Sequence, residues 1–179
     1  MDNRELEIFE LEIFELEIKR QCEIFFMSIE YLDQYLQPEK SVPSEVIWYH
    51  IQSFLTSSAN ISRLLWGDYS KNSDTREKIR KKLREKLGVS EDSKLKHRKM
   101  RNFFEHFDEH IEKVVRKPNA HYIDSNIGPK TAIFVGSNDT QFLRNFDPVA
   151  AMITFKDYEY DMNEIIVEID KIYTENLVK

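Results

Sequence analysis

The stretch Arg101–His106, RNFFEH, sets an arginine, an asparagine and a histidine beside two phenylalanines. Helical spacing predicts one helix from near Ser90 to about Lys117, with Pro118 beyond it, so the motif lies near the centre of that helix. On a straight helix the arginine and the histidine stand about 140° apart in projection and roughly 7.5 Å apart along the axis. That separation fits a groove better than a small pocket.

The chemistry of these polar residues matches phosphodiester cleavage. A histidine gives and takes protons near neutral pH, and an arginine is a permanent planar donor for phosphate oxygens. Asn102 precedes His106 by four residues, so its amide shares a helical face with the imidazole and can fix the orientation of the ring. A basic run just upstream would bring a polyanion to the same helix: Lys94, Lys96, Arg98 and Lys99.

Three further helices are predicted upstream, and they cover Ile18 to Leu36, Pro43 to Trp66 and roughly Asp74 to Leu87. Each is closed by a proline or a glycine, namely Pro38, Gly67 and Gly88. Their apolar residues recur at helical spacing, which predicts these core positions: Ile18, Phe25, Ile29, Leu32, Leu36, Ile47, Ile51, Phe54, Leu55, Leu65, Ile79, Leu83 and Leu87. On the RNFFEH helix the predicted buried residues are Phe104, Phe107, Ile111, Val114 and Val115.

The second helix has an unusual polar face. No charged residue occurs between Glu45 and Arg63, and small neutral polar groups recur at helical spacing: His50, Ser53, Ser57 and Asn60. Exposed helical faces usually carry lysine and glutamate. The stripe therefore indicates a face that another subunit covers or that lines a cleft, and plain solvent exposure is the alternative.

The N-terminal segment contains a repeat, ELEIF, ELEIF, ELEIK, from Glu5 to Lys19. At about 100° per residue a five-residue period advances roughly 140°, so neither the glutamates nor the apolar residues stay on one helical face. Strict alternation also fails, because Ile8 and Phe9 are adjacent. We expect the start of a helix that is partly an interaction arm, and a repeat expansion without function is the alternative.

After residue 118 the sequence becomes rich in turn residues. The segments AIFVG, QFLRNFD, MITF and DYEY predict short strands, and Asp161 with Glu164 three residues on predicts the capping box of a last helix. The pattern predicts a mainly α chain, a helical bundle with a small C-terminal antiparallel β-sheet and a final helix. We expect a single domain, 1–179, with the bundle at 1–117, the loop and strands at 118–161 and the last helix at 162–176.

Composition limits the classes of function. The chain has 179 residues, 41% hydrophobic, and a net charge of −6, which argues against a general nucleic-acid binder. The charge is uneven, because residues 1–40 carry 11 acidic and 4 basic side chains whereas residues 71–101 carry 13 basic and 5 acidic. Cys22 is the single cysteine, which excludes an intramolecular disulfide. With no secretory signal and no membrane-length apolar run, we expect a cytoplasmic protein that needs no membrane.

The motif R-N-x-x-x-H in the latter half of a helical core resembles the signature of the HEPN (higher eukaryotes and prokaryotes nucleotide-binding) superfamily. That signature is an arginine, four to six residues and a histidine, often with a polar residue after the arginine. Arg101, Asn102 and His106 match it position by position. The likeness covers approximately residues 18 to 117, and the C-terminal strands lie outside it.

The resemblance implies an antiparallel helical bundle that forms a homodimer, with two motif helices facing each other across a basic cleft. Many members are metal-independent endoribonucleases of toxin–antitoxin or phage-defence systems, so the implied partners are RNA or a nucleotide, a second copy and an antitoxin protein. His106 would act as general base or acid, Arg101 would stabilise the scissile phosphate, and Asn102 would support the geometry. Lys96, Arg98 and Lys99 would bind the substrate. Neither a cofactor nor a metal is expected.

Two alternatives remain. Residues 106–110 spell H-x-x-E-H, a zinc-protease pattern in which His106 and His110 share a helical face, although a third ligand such as Glu168 or Glu175 would be needed. The other alternative is a non-catalytic member that binds a nucleotide or RNA or serves as a scaffold. Asp124 and Asn126 are further candidates for lining a cleft, but turn formation explains them equally well.

Overall fold

The fold is described from a computed structural model, which defines residues 2–67, 74–96, 106–116, 121–133, 140–156 and 158–178. These residues form five α-helices: α1 (Asn3–Tyr35), α2 (Ser44–Trp66), α3 (Asp74–Lys86), α4 (Phe107–Val115) and α5 (Met162–Ile172). They also form six short strands: β1 (His121–Ile123), β2 (Asn126–Ile127), β3 (Thr140–Phe142), β4 (Arg144–Asp147), β5 (Met152–Phe155) and β6 (Tyr158–Asp161). The fold is mainly helical with a small sheet, as the sequence predicts.

The ELEIF repeat is part of the long helix α1. Asp2 caps the helix, because its side chain accepts from the backbone N–H of Arg4 and of Glu5 while Glu5 accepts from the N–H of Asp2. Further along, Ile18 and Phe25 are fully buried, as their spacing predicts. The expected helix is therefore confirmed, and it includes the whole repeat.

Helices α1 and α2 lie side by side, and residues later in α1 contact residues earlier in α2. Gln21 contacts Asn60, Phe25 packs on Phe54 with ring centroids 4.5 Å apart, and Tyr31 stacks on His50. The predicted core positions of α2 are all buried: Ile47, Ile51, Phe54, Leu55 and Leu65. Helix α2 ends where Gly67 adopts a φ of 69°, a conformation that disfavours any residue with a Cβ.

Helix α3 brings basic side chains to the acidic helix α1. Lys82 pairs with Glu7, Lys86 pairs with Glu15, and the guanidinium of Arg80 lies 5.6 Å from the ring centre of Phe14. Its apolar side chains Ile79, Leu83 and Leu87 are buried, as predicted. Part of the charge asymmetry of the sequence is thus neutralised within the chain.

The predicted helix from Ser90 to Lys117 is wrong at its start and confirmed over Phe107–Val115, whereas residues 97–105 lie outside the described part. Turns at residues 91–92 lead into a 3-10 turn at Lys94–Lys96, and the next described helix begins only at Phe107. Serine side chains compete for the backbone here, because the N–H of Asp92 donates to Ser90 Oγ and the N–H of Leu95 donates to Ser93 Oγ, each at 3.2 Å. On α4, Val114 is buried, but Ile111 and Val115 are 38% and 59% exposed, contrary to expectation. Phe104 lies outside the described residues.

The sheet is mixed, not purely antiparallel as expected. Its strand order is β2-β4-β5-β6, with β2 parallel to β4 and the other pairs antiparallel, and a separate pair joins β1 parallel to β3. The QFLRNFD segment divides at buried Leu143 into strands of both sheets. Residues 128–143 separate β2 from β4, and a connection of about a dozen residues or more permits a parallel return. Of the AIFVG segment, Ala132 ends a 3-10 turn and residues 134–136 lie outside the described part.

One hydrophobic cluster draws on the helices and the sheet alike. Its members include Phe25 of α1, Ile51 of α2, Ile153 of β5 and Ile169 of α5. Of the predicted capping box with Glu164, the structure shows the Asp161 half, because Asp161 caps α5 by accepting from the N–H of Asn163. A π-helical turn at Tyr173–Leu177 continues the helix. In the described part of the chain no helix combines the length and the apolarity that a membrane span requires.

Candidate functional site

His106 lies at the N-cap of α4 rather than inside a long helix. Its backbone is non-helical, with φ −113° and ψ 31°, and its carbonyl accepts from the N–H of His110. The side chain is 59% exposed, and Nδ1 lies 3.2 Å from Glu109 Oε1. The same carboxylate also lies near a cation, with Lys113 Nζ 3.8 Å from Glu109 Oε2. The geometry therefore suits an accessible imidazole that exchanges protons with a ligand.

The rest of the motif and two of the predicted substrate-binding residues fall outside the described ranges. They are Arg101, Asn102, Arg98 and Lys99. Whether an arginine faces His106 thus stays a prediction of the sequence. Glu109 is the described neighbour that orients the imidazole, a role that the sequence assigned to Asn102.

Lys96 is engaged within the chain. Its Nζ lies 3.2 Å from Glu91 Oε2 and 3.3 Å from the backbone oxygen of Glu91. Glu91 also accepts from Arg84 Nε at 2.7 Å. Burial opposes ionisation of Glu91, but the hydrogen bonds and charges of Lys96 and Arg84 outweigh it and lower the pKa of the carboxyl. The charge of Lys96 is therefore partly compensated, which weakens its expected attraction for a polyanion.

The H-x-x-E-H pattern lacks a third ligand among the residues that the structure describes, where no group of three potential ligands is placed to hold a metal ion. Glu168, one of the two candidates, accepts from the N–H of Lys94 at 2.8 Å and from the hydroxyl of Ser93. Burial, together with the nearby cations Lys156 and Lys113, lowers the pKa of His110. Cationic neighbours also disfavour a bound metal ion, so the arrangement gives the zinc hypothesis no support.

Arg144 of β4 connects α4 to the sheet. Its guanidinium lies 4.5 Å from the ring centre of Phe107 and 5.6 Å from that of Trp48. It also makes a two-point ion pair with Asp124, with Nε 2.7 Å from Oδ1 and Nη2 bonded to Oδ2. Because Phe107 follows His106 directly, this contact helps to fix the helix start that carries the imidazole. The sequence offers no signal for Arg144, since its partners are distant along the chain.

Asp124 and Asn126, the other candidates for a cleft, have structural partners. Asp124 binds Arg144, and the side-chain amide of Asn126 donates to Asn145 Oδ1 at 2.5 Å and to the backbone oxygen of Gly128 at 3.2 Å. Asn145 is itself buried. These contacts account for both residues without a ligand.

The neutral stripe of α2 lines a groove along α1 of the same chain. Gln21 and Ile24 of α1 form one wall, and the other wall is made by α2: Tyr49, Gln52, Ser53, Thr56, Ser57 and Asn60. Asn60 donates to Gln21 Oε1 at 3.2 Å, and buried Ser57 donates to the backbone oxygen of Ser53 at 2.5 Å. Burial beside Tyr31 and Tyr35 lowers the pKa of His50. The neighbouring helix thus accounts for much of the absence of charge on this face.

Comparison with protein-family models, with curated proteins and with solved structures finds no match to this chain. The resemblance of the motif remains an expectation.

Proposed function

We propose that this chain is a metal-independent endoribonuclease of the HEPN type, acting at a cleft between two copies in a toxin or phage-defence setting. One observation carries the proposal: His106, the histidine of the R-N-x-x-x-H motif, is exposed and has a carboxylate at its Nδ1. A histidine buried in the core or closed off by its neighbours would exclude this role. An accessible imidazole oriented by Glu109 is what proton transfer to or from RNA requires.

The proposed reaction uses the ribose 2′-hydroxyl of the substrate as nucleophile. His106 of one copy accepts the hydroxyl proton, the 2′-oxygen bonds to phosphorus, and the bond from phosphorus to the 5′-oxygen breaks. The imidazolium of the other copy donates a proton to the leaving oxygen, giving a 2′,3′-cyclic phosphate and a free 5′-hydroxyl. Arg101 stabilises the charge on the phosphate, and Asn102 supports the geometry.

Single-stranded RNA is the proposed substrate, because its unpaired nucleotides adapt to a cleft and it carries the required 2′-hydroxyl. Lys96, Arg98 and Lys99 are the proposed backbone-binding residues, with Lys96 exchanging Glu91 for a phosphate. An antitoxin protein that covers the cleft is a further proposed partner. Because Lys96, Arg98 and Lys99 would displace counterions from the RNA backbone, RNA binding should weaken as salt increases.

Cleavage of an end-labelled RNA of mixed sequence tests the proposal. We compare wild type with His106→Ala and Arg101→Ala, each with and without EDTA. The matched control is His121→Ala, because His121 is also exposed but lies on β1, outside the motif. Loss of the general acid–base should slow cleavage by about 10²–10⁴-fold, with no effect of EDTA and none of the control substitution.

Three results would contradict the nuclease. They are an intact RNA with wild-type protein, equal cleavage by the wild type and His106→Ala, and cleavage that EDTA abolishes. RNA that binds without being cut would favour the non-catalytic alternative. Cleavage of a protein substrate that EDTA blocks would favour the zinc hypothesis.

A further inference from the structure

An apolar stripe runs along the side of α1 opposite its core-facing residues, and it borders α3 at Leu6 and α2 at Ile24 and Tyr31. Steps of three and four residues connect its members, with Arg20 as the one polar position: Leu6, Phe9, Ile13, Leu16, Ile24, Met27 and Tyr31. These apolar side chains are between 38% and 54% exposed. The steps average close to the helical period, so the residues share one face over roughly 40 Å of helix. We call this surface the outer stripe.

The opposite face of α1 packs on the bundle. Phe14 and Leu11 pack against the core and Ile18 is fully buried, so the ELEIF repeat supplies apolar residues to both faces. Both faces receive apolar residues because a five-residue period does not match the helical period and so distributes them around the helix. The outer stripe is not a by-product of the repeat alone, because it extends beyond the repeat to Met27 and Tyr31.

The occupied face shows what kind of element fits the repeat. Basic helix α3 lies there, with Lys82 on Glu7, Lys86 on Glu15, and Arg80 over the ring of Phe14. Apolar side chains of α1 are thus covered by a helix whose cations reach the flanking glutamates.

The outer stripe offers the same combination. Exposed glutamates lie along one flank, namely Glu5, Glu12, Glu23 and Glu30, and half-buried Glu10 and Glu17 lie along the other. Within the stripe, Arg20 Nη1 lies 3.6 Å from Glu17 Oε2, so this cation of α1 is already paired with a glutamate of the same helix. Apolar stripes of this size mark interaction sites, and charges beside the seam select the partner.

We propose that the outer stripe is a docking surface for a basic amphipathic helix of another protein. The partner helix carries apolar residues at steps of three and four, with lysine or arginine on both flanks. A second copy of this chain fits poorly, because residues 1–40 carry 11 acidic and 4 basic side chains and would oppose glutamates to glutamates. The flanking glutamates also disfavour an anionic membrane surface. This inference is independent of the nuclease.

Binding of a synthetic helix to the full chain tests the proposal. The probe has about four heptads, with leucine and isoleucine at the a and d positions and lysine at e and g, and the control peptide has glutamate in place of lysine. Titration calorimetry should show binding of the basic peptide alone. Ile13→Gln should weaken it by at least about tenfold, whereas Ile8→Gln should not. Ile8 is a matched control, because it is 50% exposed on the same helix but off the stripe.

Reversal of charge provides a second test. In Glu12→Lys combined with Glu23→Lys, the basic peptide should bind more weakly and the acidic peptide should bind. If Ile13→Gln lowers the helicity of the chain, Met27→Gln serves as the test substitution instead, because Met27 also lies on the outer stripe and is 54% exposed. Failure of the basic peptide to bind, or an equal effect of Ile8→Gln and Ile13→Gln, would refute the docking surface. Self-association of the wild type that Ile13→Gln abolishes would assign the stripe to a second copy instead.

Discussion

Arg144 is the residue at which charge and packing combine most closely. Its guanidinium lies over Phe107 and Trp48 while its nitrogen atoms bind the carboxylate of Asp124. The planar guanidinium does both, because its faces stack on aromatic rings while its edge donates in the plane. Both charged side chains are largely covered, with Arg144 19% and Asp124 28% exposed.

Asp124→Asn should make stability less dependent on pH. Burial opposes ionisation of Asp124, but the hydrogen bonds and charge of Arg144 outweigh it and lower the pKa of the carboxyl below its ordinary value. A lowered folded-state pKa stabilises the fold above the unfolded-state pKa of about 4 and loses that contribution as the pH falls through the folded-state pKa. We expect the variant to lose about 1–2 kcal/mol at neutral pH and progressively less as the pH falls through the folded-state pKa of Asp124.

Urea denaturation of both proteins at several pH values measures this difference. Asp147→Asn is the control for a general effect of losing a carboxylate, since Asp147 accepts from backbone N–H groups of its own turn, those of Val149 and Ala150. If the free energies of unfolding of wild type and Asp124→Asn differ by the same amount at every pH, the ion pair with Arg144 contributes nothing to stability.

At the scale of elements, helix boundaries follow local chemistry where the chain offers strong stop signals. Gly67 ends α2 and Gly88 follows α3, both with φ near the left-handed region. The segment from Ser90 to Ser93 is different. Its hydroxyl groups bond to nearby backbone N–H groups, and Glu168 of α5 accepts from the N–H of Lys94. A tertiary contact thus helps to replace a helix that periodicity alone predicts.

Gly67→Ala should destabilise the chain more than Gly88→Ala. The φ of 69° and ψ of −161° at Gly67 belong to a region reserved for glycine, and an added Cβ would lie 2.6 Å from Arg80 Nε. We expect a loss of about 1–3 kcal/mol. At Gly88 the φ of 62° disfavours alanine, but no atom of the described residues lies within 4 Å of the added Cβ, so we expect a loss of about 1 kcal/mol. Equal losses in urea denaturation would show that the surroundings of Gly67 adapt without cost.

At the scale of the whole molecule, the packed core joins the sheet to the helices. Trp48 of α2 contacts Phe155 of β5, with ring centroids 6.3 Å apart, and Ile153 and Phe155 are fully buried in the common cluster. The acidic helix α1 and the basic helix α3 are brought together by the same packing. A charge asymmetry that suggests nucleic-acid binding in the sequence therefore serves in part to hold helices together.

Ile153→Ala should destabilise the helices together with the sheet. Removing a fully buried isoleucine costs about 2–5 kcal/mol, and we expect tryptophan fluorescence, which reports on α2, to change in the same transition as far-UV circular dichroism. Val149→Ala is the control, because Val149 is 93% exposed and should change stability by less than about 0.5 kcal/mol. A fluorescence transition that stays at the wild-type midpoint while the dichroism shifts would contradict a shared core.

The sequence by itself determined the helices α1, α2 and α3, the cap of α5 and most of the core positions. These depend on periodicity and on local stop signals such as Gly67 and Asp161, and both can be read along the chain. It also identified His106, because the chemistry of an imidazole belongs to the residue. Only the tertiary structure decided that His106 begins a short helix, that Lys96 binds Glu91 and that Arg144 supports α4. It also decided that β2 and β4 are parallel and that the apolar side chains on one face of the ELEIF helix stay about half exposed. Such outcomes depend on which distant residues meet, and no local pattern specifies that.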